Sequence, residues 1–177
     1  MSPPAVTPTK PLRVKAPPDV REQLGRAAIA AVRARQRGHR PDYDAAEYAR
    51  CRADICYWID SYVWTYDPRP EAAPNHLPFH LYPFQRDHLR ALEDHYVGST
   101  DNFTEKSRDM GVSWLTLSWM LHHWLFDASF QALVGSRKED LVDNWQLDSL
   151  FGKLAYIIDH LPQWMLPAGW TSKQRQF

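Results

Sequence analysis

The order of elements along this sequence predicts an α/β fold, with a parallel sheet that has only begun and an N-terminal helical layer packed on its edge. Three observations predict it. From residue 102 onward the chain reads strand, glycine turn, helix, strand, helix, the order of a βαβ unit. Three or four helical segments come before that point. The 177 residues, 44% of them hydrophobic, suffice for one domain with a real core.

Residues 1–18 are rich in proline and poor in burial, which predicts a disordered basic arm. An Ala/Arg-rich run, 19–40, predicts a basic surface helix with Asp19 as N-cap, ended by Gly38. From Pro41-Asp42 to about Tyr66, apolar side chains at Tyr48, Cys51, Ile55, Trp58, Ile59 and Tyr62 predict one long helix. Asp67-Pro68 ends it, and a Pro/Ala/Asn-rich loop runs to His80. Pro83 suits a first helical residue, so the next helix is expected to run from Pro83 to about Tyr96.

Beyond these helices, Asn102 to Lys106 is expected as a short strand, Val112 to Phe126 as an apolar helix, and Phe130 to Val134 as a buried strand. A long helical region follows over roughly 138–160, closed by Leu161-Pro162. Two strands cannot support such a sheet alone, so its remainder is expected beyond residue 177. Residues 41–177 are then the N-terminal portion of one domain.

Composition excludes some classes. Lysine plus arginine equals aspartate plus glutamate at 21 each, so no whole-chain argument for nucleic acid follows. Charge is uneven, however: residues 1–40 hold nine basic side chains against Asp19 and Glu22. Such an arm suits contact with phosphate or a partner protein, or remains solvated. The longest apolar stretch, Trp114 to Phe126, is interrupted by Ser118, His122 and His123 and is too short to span a bilayer. Cys51 and Cys56, five apart in a helical pattern, are expected as packing residues rather than a disulfide or metal pair. No HxxxH or HExxH arrangement occurs, and the adjacent His122 and His123 are expected to point apart.

The chemistry is expected in Lys106-Ser107-Arg108-Asp109-Met110-Gly111-Val112-Ser113. A P-loop joins a strand to a helix through a turn whose amides wrap phosphates, with the helix dipole behind them. Here Gly111 permits the turn, Ser113 begins the helix and offers a hydroxyl to Mg2+, and Lys106 begins the loop. The GxxxxGK[ST] pattern is broken twice, because Lys106 stands at the first glycine and Val112 at the usual lysine.

The string EKSRDMGVSWL resembles the variant Walker A motif of phage terminase large subunits, some of which carry the lysine at the front of the loop. Along 42–168 the surroundings resemble that family too. Tyr57-Trp58-Ile59 and Thr65-Tyr66-Asp67-Pro68 look like its opening helix, and Leu81-Tyr82-Pro83-Phe84-Gln85 like its adenine-recognition motif. Ala132 to Lys138 resembles the strand and loop after the P-loop helix, and Ile157 to Met165 the helix with a Leu-Pro-x-Trp close.

The resemblance implies a P-loop NTPase-type ATPase domain that binds ATP and Mg2+ and, in the full-length protein, drives DNA translocation into capsids. Gln85 would then bind the adenine edge through its amide, with Tyr82 or Phe84 packing on the base. Lys106 would reach the phosphates in place of the lysine missing at Val112. Arg108 would support γ-phosphate chemistry, and Ser113 would hold Mg2+. Residues Lys106 to Trp114 would form the nucleotide site. Double-stranded DNA, a small terminase subunit and a portal protein are the implied partners, with oligomerisation on the portal. The implied place is the cytoplasm of a bacterial host, away from membrane.

ATP hydrolysis also needs a Walker B acid. Ala155 to Asp159 fits superficially, but His160 replaces the expected glutamate, and the apolar spacing is helical. The acid is expected beyond Phe177, which predicts little or no turnover by this chain. The alternative is a catalytically silent remnant, or a non-enzymatic module binding a small terminase subunit, portal or DNA. A superfamily-2 helicase fragment is disfavoured, since its Walker A keeps GK[ST].

Overall fold

A computed structural model describes residues 44–69, 75–167 and 170. The expected arm over 1–18, the helix over 19–40 and the chain's last residues lie outside the described residues.

Helix α1 (Ala45–Ala53) starts at Asp44, whose carboxylate accepts from the amides of Ala46 at 3.0 Å and Glu47 at 3.1 Å. The single helix expected over 41–66 is in fact two. Asp54 takes an extended conformation, ends α1, and caps α2 (Ile55–Tyr62) by accepting from Tyr57 N at 2.9 Å. A short acid that bonds the following backbone offers an alternative to the helical ladder, and here it wins. After α2, Trp64–Tyr66 forms strand β1 and pairs antiparallel with β2 (His76–Pro78), Trp64 opposite Pro78 and Tyr66 opposite His76. Aromatic and β-branched side chains favour the strand over continuation of the helix.

Helix α3 (Pro83–Val97) opens with its proline at the first position, and α4 (Val112–Phe126) has the expected bounds. The helix expected over 138–160 is broken. A short α5 (Glu139–Val142) is followed by bonded turns in which Asp143 accepts from Trp145 N and Asn144 from Gln146 N. Then α6 (Leu150–His160) starts from Ser149, which caps Gly152 N, and a single 3-10 turn follows over Gln163–Met165.

The core gathers on α4, which packs against α2, α3 and α6. Trp58 and Ile59 from α2, Leu89 from α3, Leu115 from α4 and Ile157 from α6 are fully buried. A helix apolar on most faces has neighbours on most faces, which is the position α4 occupies. Beneath α1, Glu47 accepts from the hydroxyls of Tyr57 and Tyr62 at 2.8 Å each. Cys51 and Cys56 are free thiols in packed positions, and burial pushes the Cys51 thiol up to about 12. Residues 155–159 lie within α6, with Ala155, Ile157 and Ile158 buried and Asp159 exposed, so the helical alternative to a Walker B strand is the one adopted.

The expected α/β fold is overturned. Among the described residues the architecture is a mostly helical small domain with six α-helices and one two-stranded antiparallel sheet. Among the described residues there is no P-loop NTPase-type parallel sheet. The strands expected over 102–106 and 130–134 do not form: residues 101–107 and 131–136 belong to no helix or strand and make no backbone ladder with any described residue. Every residue of 101–107 is exposed. Composition compatible with a strand is not a strand until a neighbour takes its amides and carbonyls. The helices, by contrast, complete their own hydrogen bonds and bury one another.

Candidate functional site

The expected phosphate loop is a surface turn that feeds α4. Gly111 sits at φ 72° and ψ 9°, the left-handed region, and is the N-cap of α4. Its carbonyl accepts the first helical bond from Leu115 N at 3.0 Å. No side chain caps this helix end, so the first-turn amides are available to an outside acceptor. Asp109 is also left-handed at φ 64°, a conformation that aspartate tolerates better than most residues. Two such residues within three positions turn the backbone sharply just ahead of the helix.

Lys106, Ser107, Arg108 and Asp109 are exposed on this turn, and Ser113 is exposed on the first turn of α4. Neither Lys106 nor Arg108 enters an ion pair among the described residues. Met110, Gly111 and Val112 are half-buried. Trp114 faces inward: its ring lies edge-on to Tyr156 at 5.6 Å, and the ammonium of Lys153 lies 5.9 Å from its centroid. The structure gives Trp114 the work of packing α4 on α6.

Gln85 is brought to this turn from α3. Its side chain is 3% exposed. The amide oxygen accepts from Tyr82 N at 3.0 Å, the reach-back half of a capping box. The amide nitrogen donates to the Met110 carbonyl at 3.0 Å. A Cβ added at Gly111 would sit 3.1 Å from that nitrogen and 3.8 Å from the Phe79 ring. The start of α3 is itself anchored, because Asp60 accepts from Leu81 N at 2.8 Å and pairs with Arg86. Tyr82 and Phe84, 64% and 45% exposed, stack on each other with centroids 5.8 Å apart and planes 7° apart.

A phosphate-binding reading has to fit these residues. An uncapped helix start, a lysine, an arginine and a serine hydroxyl, all accessible, suit a polyphosphate. Mg2+ keeps most of its coordination for water and phosphate oxygens and asks one or two ligands of the protein, which Ser113 can supply. Among the described residues no cluster of three or more His, Cys, Asp or Glu is placed to hold a metal ion without a phosphate.

Two clefts lie elsewhere. One, of about 250 Å³, is lined by His76, Trp145, Phe151 and Tyr156; the other, of about 350 Å³, by Arg52, Glu93, His122, His123 and Asp127. Neither of these two clefts includes a residue of 106–113.

The second cleft holds a polar network that the sequence reading missed. Glu93 accepts from Trp119 Nε1 and pairs with His123 Nε2, each at 2.7 Å. Trp119 and His123 are one helical turn apart on α4, a spacing that could have flagged them. The adjacent His122 and His123 rings do not simply point apart: they meet edge-on, with centroids 5.8 Å and planes 88° apart, while their Nε2 atoms take different partners. His122 Nε2 donates to the Cys51 carbonyl at 2.9 Å, its Nδ1 is buried without a partner, and burial pushes its pKa down to about 4.

No helix among the described residues is long and apolar enough to cross a membrane. Compared with known protein families, with curated proteins and with solved structures, the chain has no match.

Proposed function

We propose that residues 106–113 bind the phosphates of ATP–Mg, and that the chain is the N-terminal part of a viral DNA-packaging terminase large subunit, whose full-length form uses ATP to drive DNA translocation. One observation carries the phosphate reading. A left-handed glycine opens an uncapped helix, and Lys106, Arg108 and Ser113, all exposed, lie within five residues of that glycine along the chain. Amides and dipole at the helix start, with these cations close in the chain, would suit one anion. The proposal needs the loop and the helix start, not a sheet. Lys106 neutralises phosphate oxygens, Arg108 contacts the terminal phosphate, and the Ser113 hydroxyl holds Mg2+.

The motif order along 42–168 supports the terminase assignment, and from it follow double-stranded DNA, a small terminase subunit and a portal protein as partners, in the bacterial cytoplasm. Asp159 lies on helix α6 and not at the end of a strand, as a Walker B acid would, which supports binding with little turnover.

A second reading has its own observation: residues 101–107 and 131–136 leave backbone groups without partners among the described residues. Such a surface also suits a non-enzymatic module that docks a protein. Titration of fluorescent ATP with Mg2+ into wild type and Lys106→Ala separates the two. We expect saturable binding by wild type and a loss of about tenfold or more in the variant, the worth of a charge-assisted contact. Equal signals from both proteins reject the nucleotide reading.

A further inference from the structure

We infer that Gln85 is a positioning residue for the phosphate loop and not a reader of the base, so that the site takes a triphosphate group whatever base is attached. This rests on the proposed phosphate role of residues 106–113.

The argument starts from what an amide can do. Gln85 could read an adenine edge only by presenting a donor and an acceptor side by side to the ligand. In this fold the two ends of its amide are committed in different directions, the oxygen to Tyr82 N and the nitrogen to the Met110 carbonyl. The assignment is fixed by its partners: reversing the amide would set N–H against N–H and oxygen against oxygen. At 3% exposure, little of the group is left to meet a ligand.

What Gln85 does hold is the peptide just before Gly111. The Met110 carbonyl belongs to that peptide, so its orientation bears on the left-handed turn and on where the amides of 112–114 point. The space is tight, as the 3.1 Å approach to a Cβ at Gly111 shows. Gln85 thus couples the start of α3 to the start of α4. Tyr82 and Phe84, at the start of the same helix, are stacked on each other and exposed, and are left for a base. An aromatic face stacks any base and reads none by hydrogen bonds.

The test compares ATP, GTP and inorganic tripolyphosphate, each with Mg2+, by calorimetry on wild type, Gln85→Ala and Gln85→Glu, at a temperature where each protein is folded by circular dichroism. We expect wild type to bind ATP and GTP with affinities differing by less than the roughly fivefold that one net hydrogen bond is worth. Both variants should weaken all three ligands together, tripolyphosphate included, by roughly tenfold, as loss of an outer-shell partner does at other sites. Gln85→Glu is informative because it keeps the acceptor for Tyr82 and loses the donor to Met110. The inference is overturned if wild type strongly prefers ATP, or if Gln85→Ala leaves tripolyphosphate binding unchanged while altering the ATP/GTP ratio. Those results would leave the phosphate site standing. Failure of wild type to bind any of the three removes the site and the inference with it.

Discussion

The helical core and the loop that precedes α4 are opposites in construction. Trp58, Ile59, Leu89, Leu115 and Ile157 are fully buried, each held by neighbours from other helices. Residues 101–109 are exposed throughout and take no ladder partner. The two meet at Gly111 and Gln85, where a single hydrogen bond ties the exposed turn to α3. Stability and the proposed phosphate binding therefore fall on different residues, and substitutions should separate along that line.

The largest effect belongs to the core. Trp58 donates its Nε1–H to Met165 Sδ at 3.2 Å and meets Phe126 edge-on at 6.4 Å. Truncating a buried tryptophan costs about 3–5 kcal/mol, a large share of the roughly 5–15 kcal/mol of a whole domain. Urea unfolding of Trp58→Ala should show that loss. A change below about 1 kcal/mol would place Trp58 at a yielding edge instead of a core.

Acid should reach the core through His122. Its folded pKa of about 4 lies below the ordinary value of 6.5, because burial disfavours the charged ring. The unfolded chain then binds a proton that the folded chain refuses, so stability falls as pH drops from 6.5 toward 4 and levels off below. The full drop amounts to about 3 kcal/mol, from the 1.36 kcal/mol per pKa unit. Unfolding midpoints of wild type and His122→Gln across that range provide the check: the variant should show a flatter profile, and parallel profiles would take His122 out of the acid response.

How much of this was legible in the sequence follows the same division. Helices α3 and α4 were legible because Pro83 and Gly111 mark their starts and apolar side chains fill their lengths. The breaks at Asp54 and over 143–149 were not, since the apolar period runs through both while local Asp and Asn bonds decide the backbone. The α/β reading failed where it depended on partners: nothing within 102–106 or 130–134 says whether another strand lies alongside. At the candidate site the glycine turn was visible. Gln85's burial was not, because its acceptor on Met110 lies 25 residues further along the chain.

Gly111 lies on the boundary and should show an intermediate effect. Its φ of 72° costs a residue with a Cβ about 1–2 kcal/mol, and the Gln85 amide would also have to yield. Gly111→Ala should therefore lose roughly that much in thermal or urea unfolding, together with tripolyphosphate binding. A fully stable Gly111→Ala that still binds would show that the turn does not depend on the left-handed glycine.

Lys106 should give the smallest change in stability and the clearest change in binding. It is exposed, enters no ion pair among the described residues, and is followed by exposed neighbours, so Lys106→Ala should shift unfolding by no more than about 0.5 kcal/mol. The same substitution removes the one lysine in the loop that precedes α4. A side chain with almost no share in holding the fold, whose removal nevertheless weakens ATP–Mg, can act only on the ligand. Were Lys106→Ala to destabilise the protein by as much as Gly111→Ala, the lysine would be part of the turn's own construction, and the division between core and loop would have to be drawn closer to residue 105.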